Sequence, residues 1–378
     1  MIIVFSGMAI SLNAQKSKSL NYIDNRISKI PDSLTYDVQS IANFINAEFT
    51  TDFEKSRSIY CWITQNIQYD FLNRYSIDLE SGNENDFERL LQTRKGVCNH
   101  YANLYSAIAN KVNIKTFVVI GYTRKRNIHY NPHAWCVSLI DSVWYCTDPT
   151  WGAGYVDNKD FIKSISNKYF MMEPSKFVKT HIPFDPLWQL SHYPLSKFEF
   201  AAGYKISRNR KHKFDYIFFL DQFENQNEIE RMLSTKKRIE LNGVSNYLDY
   251  VNLYHLNAKI IRNYKLKAEE KFNTALSHYN DAIFLLNEYI EYRNKYYLPY
   301  KSDNEIKKLL TNVENELIIS LNRLDEIEHR SQIMNQRIAQ IKKIIRQALN
   351  DVYFQQEKLD KYLETAKEYR KNMAKNNE

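Results

Sequence analysis

A cysteine, a histidine and an aspartate stand in this 378-residue chain in the local settings that thiol chemistry requires. Cys98 lies in 94-RKGVCNHYANLYSAIA-109, and His133 and Asp148 lie in 131-NPHAWCVSLIDSVWYCTDPTWGAG-154. These are the residue types of a nucleophile, its base and the group that orients the base.

The elements that must position them can be read locally. Gly96 interrupts what precedes it. From Cys98 onward Tyr101, Leu104, Tyr105, Ile108 and Val112 recur every three or four residues, the period of a helix. Cys98 is therefore expected in or just before a first helical turn. There, backbone N–H groups and the positive end of the helix dipole favour a thiolate, and the same N–H groups could hold an oxyanion. Residues 133–140 and 143–149 are rich in β-branched and aromatic side chains, with Asp141 and Ser142 between them, and read as a hairpin. If Ile140 pairs with Val143, Trp135 lies opposite Asp148 and His133 opposite Thr150. His133 and Asp148 then become diagonal neighbours on one face, within reach of a hydrogen bond. A loop one residue longer would put them on opposite faces.

Together the segments resemble the transglutaminase-like superfamily, with its papain-like acyl-transfer fold. The resemblance rests on Gly96-Val97-Cys98 opening a helix, His133-Ala134-Trp135 in a strand, and 144-WYCTDPTW-151. Upstream, 59-IYCWITQNIQYD-70 is similar to the helix that leads into the family's core. Downstream, 181-HIPFDPLWQL-190 resembles the closing segment of the kyphoscoliosis-peptidase and cytokinesis-protein branch. The similarity spans roughly residues 35–195. It implies Cys98 as nucleophile, His133 as base and Asp148 as the partner that orients the base. The oxyanion donors it suggests are the Cys98 backbone N–H and the side chain of Tyr69 or Gln65. Trp135 and Trp151 are the expected substrate-binding residues.

Composition bounds the alternatives. A hydrophobic content of 44% and an aromatic content of 14% allow a well-filled core, and the net charge of +8 comes from largely interleaved residues. The one dense basic run, 205-KISRNRKHKF-214, reads as a solvated loop, and no nucleic-acid module is visible. Cys61, Cys98, Cys136 and Cys146 lack the spacing of a zinc site or a C-x-x-C redox pair. Cys136 and Cys146 would point to opposite faces of the hairpin, so free thiols are expected. No cofactor or metal is called for. The uncharged leader MIIVFSGMAISLNAQ reads as a signal peptide over residues 1–15, although it lacks a basic start. That predicts a secreted or periplasmic protein, or a cytoplasmic one should the leader be misread. No other stretch is long and apolar enough to span a membrane.

The expected organisation is a linker over 16–34, an α+β transglutaminase-like domain over 35–200, a helical region over 201–300, and a long helix or coiled coil over 301–378. In the first domain, periodicity predicts helices over 36–49 and 52–67, with Thr51 and Glu54 forming a capping box. A polar loop over 73–85, a short helix over 86–93 and a strand over 115–122 follow. From Ile306 a seven-residue repeat runs through Leu310, Val313, Leu317, Ser320, Leu324, Ile327 and Ser331 and on through Ala366 to Tyr369, with Ser320 and Ser331 as polar positions in the seam. Packing against residues 244–297 would bury this seam within one chain. Self-association, or a protein partner for the helices, would bury it between chains. The functional expectation is thiol-dependent acyl transfer on a protein or peptide, hydrolytic in outcome, as by a peptidase or deamidase. The rival is a catalytically silent papain-like binding module with a scaffold tail.

Overall fold

The computed structural model describes residues 20–74, 84–124, 130–203 and 213–365. They form two compact units, Met1–His255 and Leu256–Glu378. The leader, most of the 73–85 loop and most of the basic run fall outside the described residues, as does the end of the seam at Ala366 and Tyr369.

In the first unit, α1 (Val38–Glu48) starts at Asp37, whose carboxylate accepts from the Gln39 and Ser40 N–H groups. Helix α2 (Asp52–Asn66) starts on the expected Thr51–Glu54 capping box. Short strands β1 (Gln68–Tyr69) and β2 (Lys95–Gly96) pair in parallel on either side of α3 (Glu84–Thr93). Helix α4 (Cys98–Lys111) follows at once. Its apolar face enters a core built with α1 and α2, where Tyr101, Leu104, Tyr105 and Ile108 are fully buried.

A four-stranded sheet has the order β5-β4-β3-β8, all antiparallel, from β3 (Thr116–Arg124), β4 (Tyr130–Ile140), β5 (Val143–Thr147) and β8 (His181–Pro183). Its two faces belong to different cores. Ala134 and Cys136 face α4, and Cys136 Sγ lies 3.2 Å from the Ala102 carbonyl. Val119, Trp135, Val137 and Cys146 face a second core with Phe177, Leu187, Trp188 and Leu220. Cys136 and Cys146 thus lie on opposite sides, and all four cysteines are free thiols. The remaining short elements are α5 (Pro149–Ala153) and the hairpin of β6 (Gly154–Asp157) and β7 (Asp160–Lys163).

Two expectations of organisation are corrected. Residues 20–27 of the expected linker are helical, and Ile23 and Ile27, one turn apart, are fully buried. Asp24 on the same stretch takes a two-point ion pair from the buried Arg57. The first compact unit runs on past the boundary expected at residue 200, to His255. The helix Glu228–Asn242 belongs to the first unit, because buried Arg238 makes a forked bond at 2.6–3.1 Å to Asp185. Buried Lys197 pairs with Asp249, which tethers the start of the helix Tyr247–Asn294 to the same unit. A buried pair of this kind is destabilising when halved, so it fixes the attachment more than it adds to stability.

In the second unit the expected seam is buried within the chain. Ile306, Leu310, Val313, Leu317, Ile338, Ile345 and Val352 pack with Phe272, Ala275 and Tyr289. The stretch expected as a long helix or coiled coil over 301–378 holds two helices, Asp303–Asp325 and Gln332–Leu363. Ser331, read as a polar seam position, caps the second by accepting the Met334 N–H. Ser320 stays in the seam because its hydroxyl donates to the Ala275 carbonyl at 2.7 Å. Among the described residues no helix is long and apolar enough to cross a membrane.

Candidate functional site

The hairpin turn sets the site's register. Asp141 and Ser142 both have positive φ, 48° and 65°, as a two-residue type I′ turn requires. Ile140 pairs with Val143 and Cys136 with Thr147, so the chain arrives at Asp148 on the face that carries His133 and Trp135. There Asp148 becomes the N-cap of α5, with Pro149 in the first helical position. One carboxylate oxygen, Oδ1, accepts the Thr150 and Trp151 N–H groups at 2.9 and 3.0 Å. Its cap role therefore aims the other oxygen, Oδ2, at the sheet, 2.8 Å from His133 Nε2. Asp148 is fully buried and His133 nearly so.

With Nε2 on the carboxylate, Nδ1 is the ring nitrogen left for a second partner. Cys98 is near enough to His133 to help raise its imidazole above the ordinary value. Cys98 is the first residue of α4 and is half-buried. The helix start is held by His100, whose Nδ1 accepts the Val97 N–H at 3.1 Å. At that position the Cys98 backbone N–H has no intrahelical acceptor. The β1–β2 pairing sets Tyr69 opposite Gly96, and Tyr69 packs into the same core as Cys98.

The other expected residues divide. Gln65 turns its amide to Cys61 Sγ at 3.1 Å, away from the role of oxyanion donor, so Tyr69 is the side-chain candidate beside Cys98. Trp135, expected to bind substrate, is 1% exposed and packs in the second core against Phe177, 5.6 Å between ring centres. It lies beside His133 and His181 on the same face, with ring centres 6.3 and 5.3 Å away, and offers no surface to a ligand. Trp151 is half-buried, with its ring 5.6 Å from His133 and 4.6 Å from His181.

His181 is a site residue to which sequence reasoning assigned no role. It sits on β8, opposite Thr123 of β3, and its Nε2 lies 3.2 Å from the same Asp148 Oδ2 that His133 engages. Its ring stacks on Phe177, 3.9 Å between centres. A three-residue strand that pairs with one nearly sixty residues earlier leaves no local pattern to read.

Charge follows from this arrangement. Burial opposes ionisation of Asp148, but the charge and hydrogen bond of His133, then those of His181, outweigh it and hold the carboxyl below its usual range. Burial likewise opposes the His133 imidazolium, and Asp148 followed by Cys98 reverses this and raises it well above the ordinary imidazole value. For His181 burial wins over the Asp148 bond and pulls the group down to about 4. The Tyr69 phenol is raised, first by burial and then by Cys98, so it keeps its proton and can donate. His133 Nε2, Asp148 Oδ2 and His181 Nε2 all lie within 4.8 Å of one another, a spacing a metal ion could use. Each of these atoms is already engaged in the His–Asp–His hydrogen bonds, which suits proton sharing.

These shifts set the sign of the pH dependence of stability. Between 6.5 and about 4 the unfolded chain protonates at position 181 and the folded chain does not. Stability therefore falls as pH falls through that window, by on the order of 3 kcal/mol in full. His133 acts in the opposite sense: its contribution is full below 6.5 and is lost as pH rises toward its raised folded value. The contribution of Asp148 is present above 3.8 and is lost as pH falls further. Denaturant unfolding at about pH 7 and about pH 4.5 should show a smaller acid loss in His181→Gln than in the unaltered chain, because glutamine does not titrate. Equal losses would contradict the assignment.

Gly121 is the strand position opposite both His133 and Pro183. A Cβ there would meet the Ile182 carbonyl at 2.2 Å and the tip of Trp135 at 2.6 Å. Gly121→Ala should cost about 1–3 kcal/mol in denaturant unfolding, because backbone or a packed indole must move. An unchanged midpoint would show that β3 and β8 yield more freely than this packing allows.

Residues 39–149 match the profile of the transglutaminase-like superfamily. Human kyphoscoliosis peptidase is 28% identical over 178 residues, 45% of this chain and 26% of its own length. Cytokinesis protein 3 of Saccharomyces cerevisiae is 28% identical over 179 residues, 44% of this chain and 20% of its own. The chain thus spans about a quarter of the length of these relatives. A solved TGase structure is similar over 39% of this chain and 35% of its own, at 16% identity and a TM-score of 0.24, too low a likeness to argue from. The cysteine-bearing helix, the histidine strand and the aspartate that ends the hairpin all fall within the matched span, and residues 39–149 are a transglutaminase-like domain.

Proposed function

We propose that this domain is a thiol-dependent acyl-transfer enzyme acting on a protein or peptide, hydrolytic in outcome, with Cys98 as nucleophile, His133 as base and Asp148 as the partner of the base. The observation that carries the reading is a buried imidazole held on a buried carboxylate through Nε2, with Cys98 close enough to bear on its charge. Cys98 Sγ attacks the carbonyl carbon of a peptide or of a glutamine side chain, and its proton passes to His133 Nδ1. The C–N bond breaks, and His133 returns the proton to the departing amine or ammonia. Water, deprotonated by His133, then attacks the thioester, releasing the acid and restoring the thiol. The Cys98 backbone N–H and the Tyr69 hydroxyl are the candidate donors to the oxygen that becomes negative in each step.

The same thioester passed to a lysine amine would give a cross-link, so the products decide the outcome. The full chain is incubated with a complex peptide mixture, with and without prior iodoacetamide treatment, and the products are read by mass spectrometry. New peptide ends or glutamate in place of glutamine, lost on alkylation, is the expected result. Isopeptide bonds would move the assignment to cross-linking. Absence of any thiol-sensitive product would favour a binding module.

A further inference from the structure

His181 has no part in the steps above, yet it is among the most buried polar groups of the fold and it touches the triad. Two histidine nitrogens converge on one oxygen, His133 Nε2 at 2.8 Å and His181 Nε2 at 3.2 Å from Asp148 Oδ2. A carboxylate only accepts, so each ring must bring a proton on that nitrogen. For a neutral His181 this leaves Nδ1 as an acceptor, and the Thr180 hydroxyl stands 2.8 Å from it to donate. The ring is fixed between Phe177 and Trp151, with Tyr169 the other titratable side chain in contact. An oxygen that receives two donors attracts each less strongly than it would attract one.

We propose that His181 is a positioning residue that shares the Asp148 oxygen with His133 and so sets how strongly the carboxylate stabilises the His133 imidazolium. Thr180 keeps His181 in the form that donates. The proposal rests on the reading of Cys98, His133 and Asp148 as a triad. In that cycle His133 Nδ1 must both take and give up a proton, and an undivided carboxylate on Nε2 would stabilise the imidazolium too strongly for the second task.

The test is a direct titration of the His133 ring by NMR in full-length chain with labelled histidine, in a Cys98→Ala background that removes the thiol's own charge. The His133 signal is identified by its loss in His133→Gln. His181→Phe keeps the stacked ring and removes the donor. It should move the His133 titration up by about one pH unit, the order expected for one charge-assisted hydrogen bond. His181→Gln, which places an amide N–H at similar reach, should bring it back most of the way. Thr180→Val should move it up by less, and keeps the test alive should the phenylalanine variant fail to fold. An unchanged His133 titration would overturn the proposal. So would a shift down toward the ordinary imidazole value, which is what a merely structural role predicts when the site loosens. The triad reading is tested separately by the dependence of Cys98 alkylation on His133. Loss of that dependence would overturn both, whereas its presence with no upward shift would overturn only the role of His181.

Discussion

Cys98→Ser should reduce acyl transfer by a factor of about a thousand or more while changing unfolding free energy by less than about 1 kcal/mol. The asymmetry follows from the position. Cys98 is the first residue of its helix and only half-buried, and the buried face of that helix is carried by Tyr101, Leu104, Tyr105 and Ile108. Serine fits a helix start and preserves the shape. It lacks a nucleophile that His133 can ionise readily, so the cycle stops at its first step. Product formation and denaturant unfolding of the same preparation check both halves. A loss of stability of several kcal/mol would mark Cys98 as a packing residue whose thiol serves the fold.

Asp148→Asn should lower the rate by on the order of 10³- to 10⁴-fold, through protons more than through shape. Asparagine keeps one oxygen, and the Thr150 and Trp151 N–H groups will hold it where Oδ1 now sits. Its amide then faces His133 Nε2 and His181 Nε2 with donors in place of acceptors. His133 must turn a lone pair toward that amide and carry its proton on Nδ1, the nitrogen that should receive the proton of the thiol. The negative charge that raised His133 is also gone, and burial alone would then lower it. A variant as active as the parent would remove Asp148 from the mechanism.

The proposed triad is legible in the sequence because each member sits in a strong local signal. The cysteine opens a helix after a glycine, and a two-residue turn at Asp141-Ser142 fixes the register that brings His133 and Asp148 to one face. The aspartate could be read as a turn former before Pro149 or as the orienter of the base. In the structure it caps α5 with one oxygen and meets His133 with the other, which allows both readings at once. What was not legible depends on contacts distant in sequence. Ile23 and Ile27 lie in a polar stretch whose partners are elsewhere, and only the buried Arg57 explains the Asp24 between them. Trp135 and Trp151 look alike as aromatic neighbours of the site, yet one is sealed in the core beside His133 and the other is partly exposed. His181 reaches Asp148 through a three-residue strand on the far edge of the sheet. Ser331 reads as one more step in a heptad, and its turn shows only when the two helices fold against each other.

The most direct test of the central claim is the alkylation rate of each cysteine against pH, read by peptide mass spectrometry, in the parent chain and in His133→Ala. Cys61, Cys136 and Cys146 are buried, so a faster Cys98 would by itself report only exposure. The discriminating feature is the slope. A thiol without an imidazolium partner loses about tenfold in rate for each pH unit below roughly 8.5. In the parent chain the Cys98 rate should stay nearly level from about pH 8 to about pH 6, and in His133→Ala it should fall with the full slope. A parent profile that falls as steeply as that of the variant would contradict the thiolate–imidazolium pair, and with it the assignment of this domain as an enzyme.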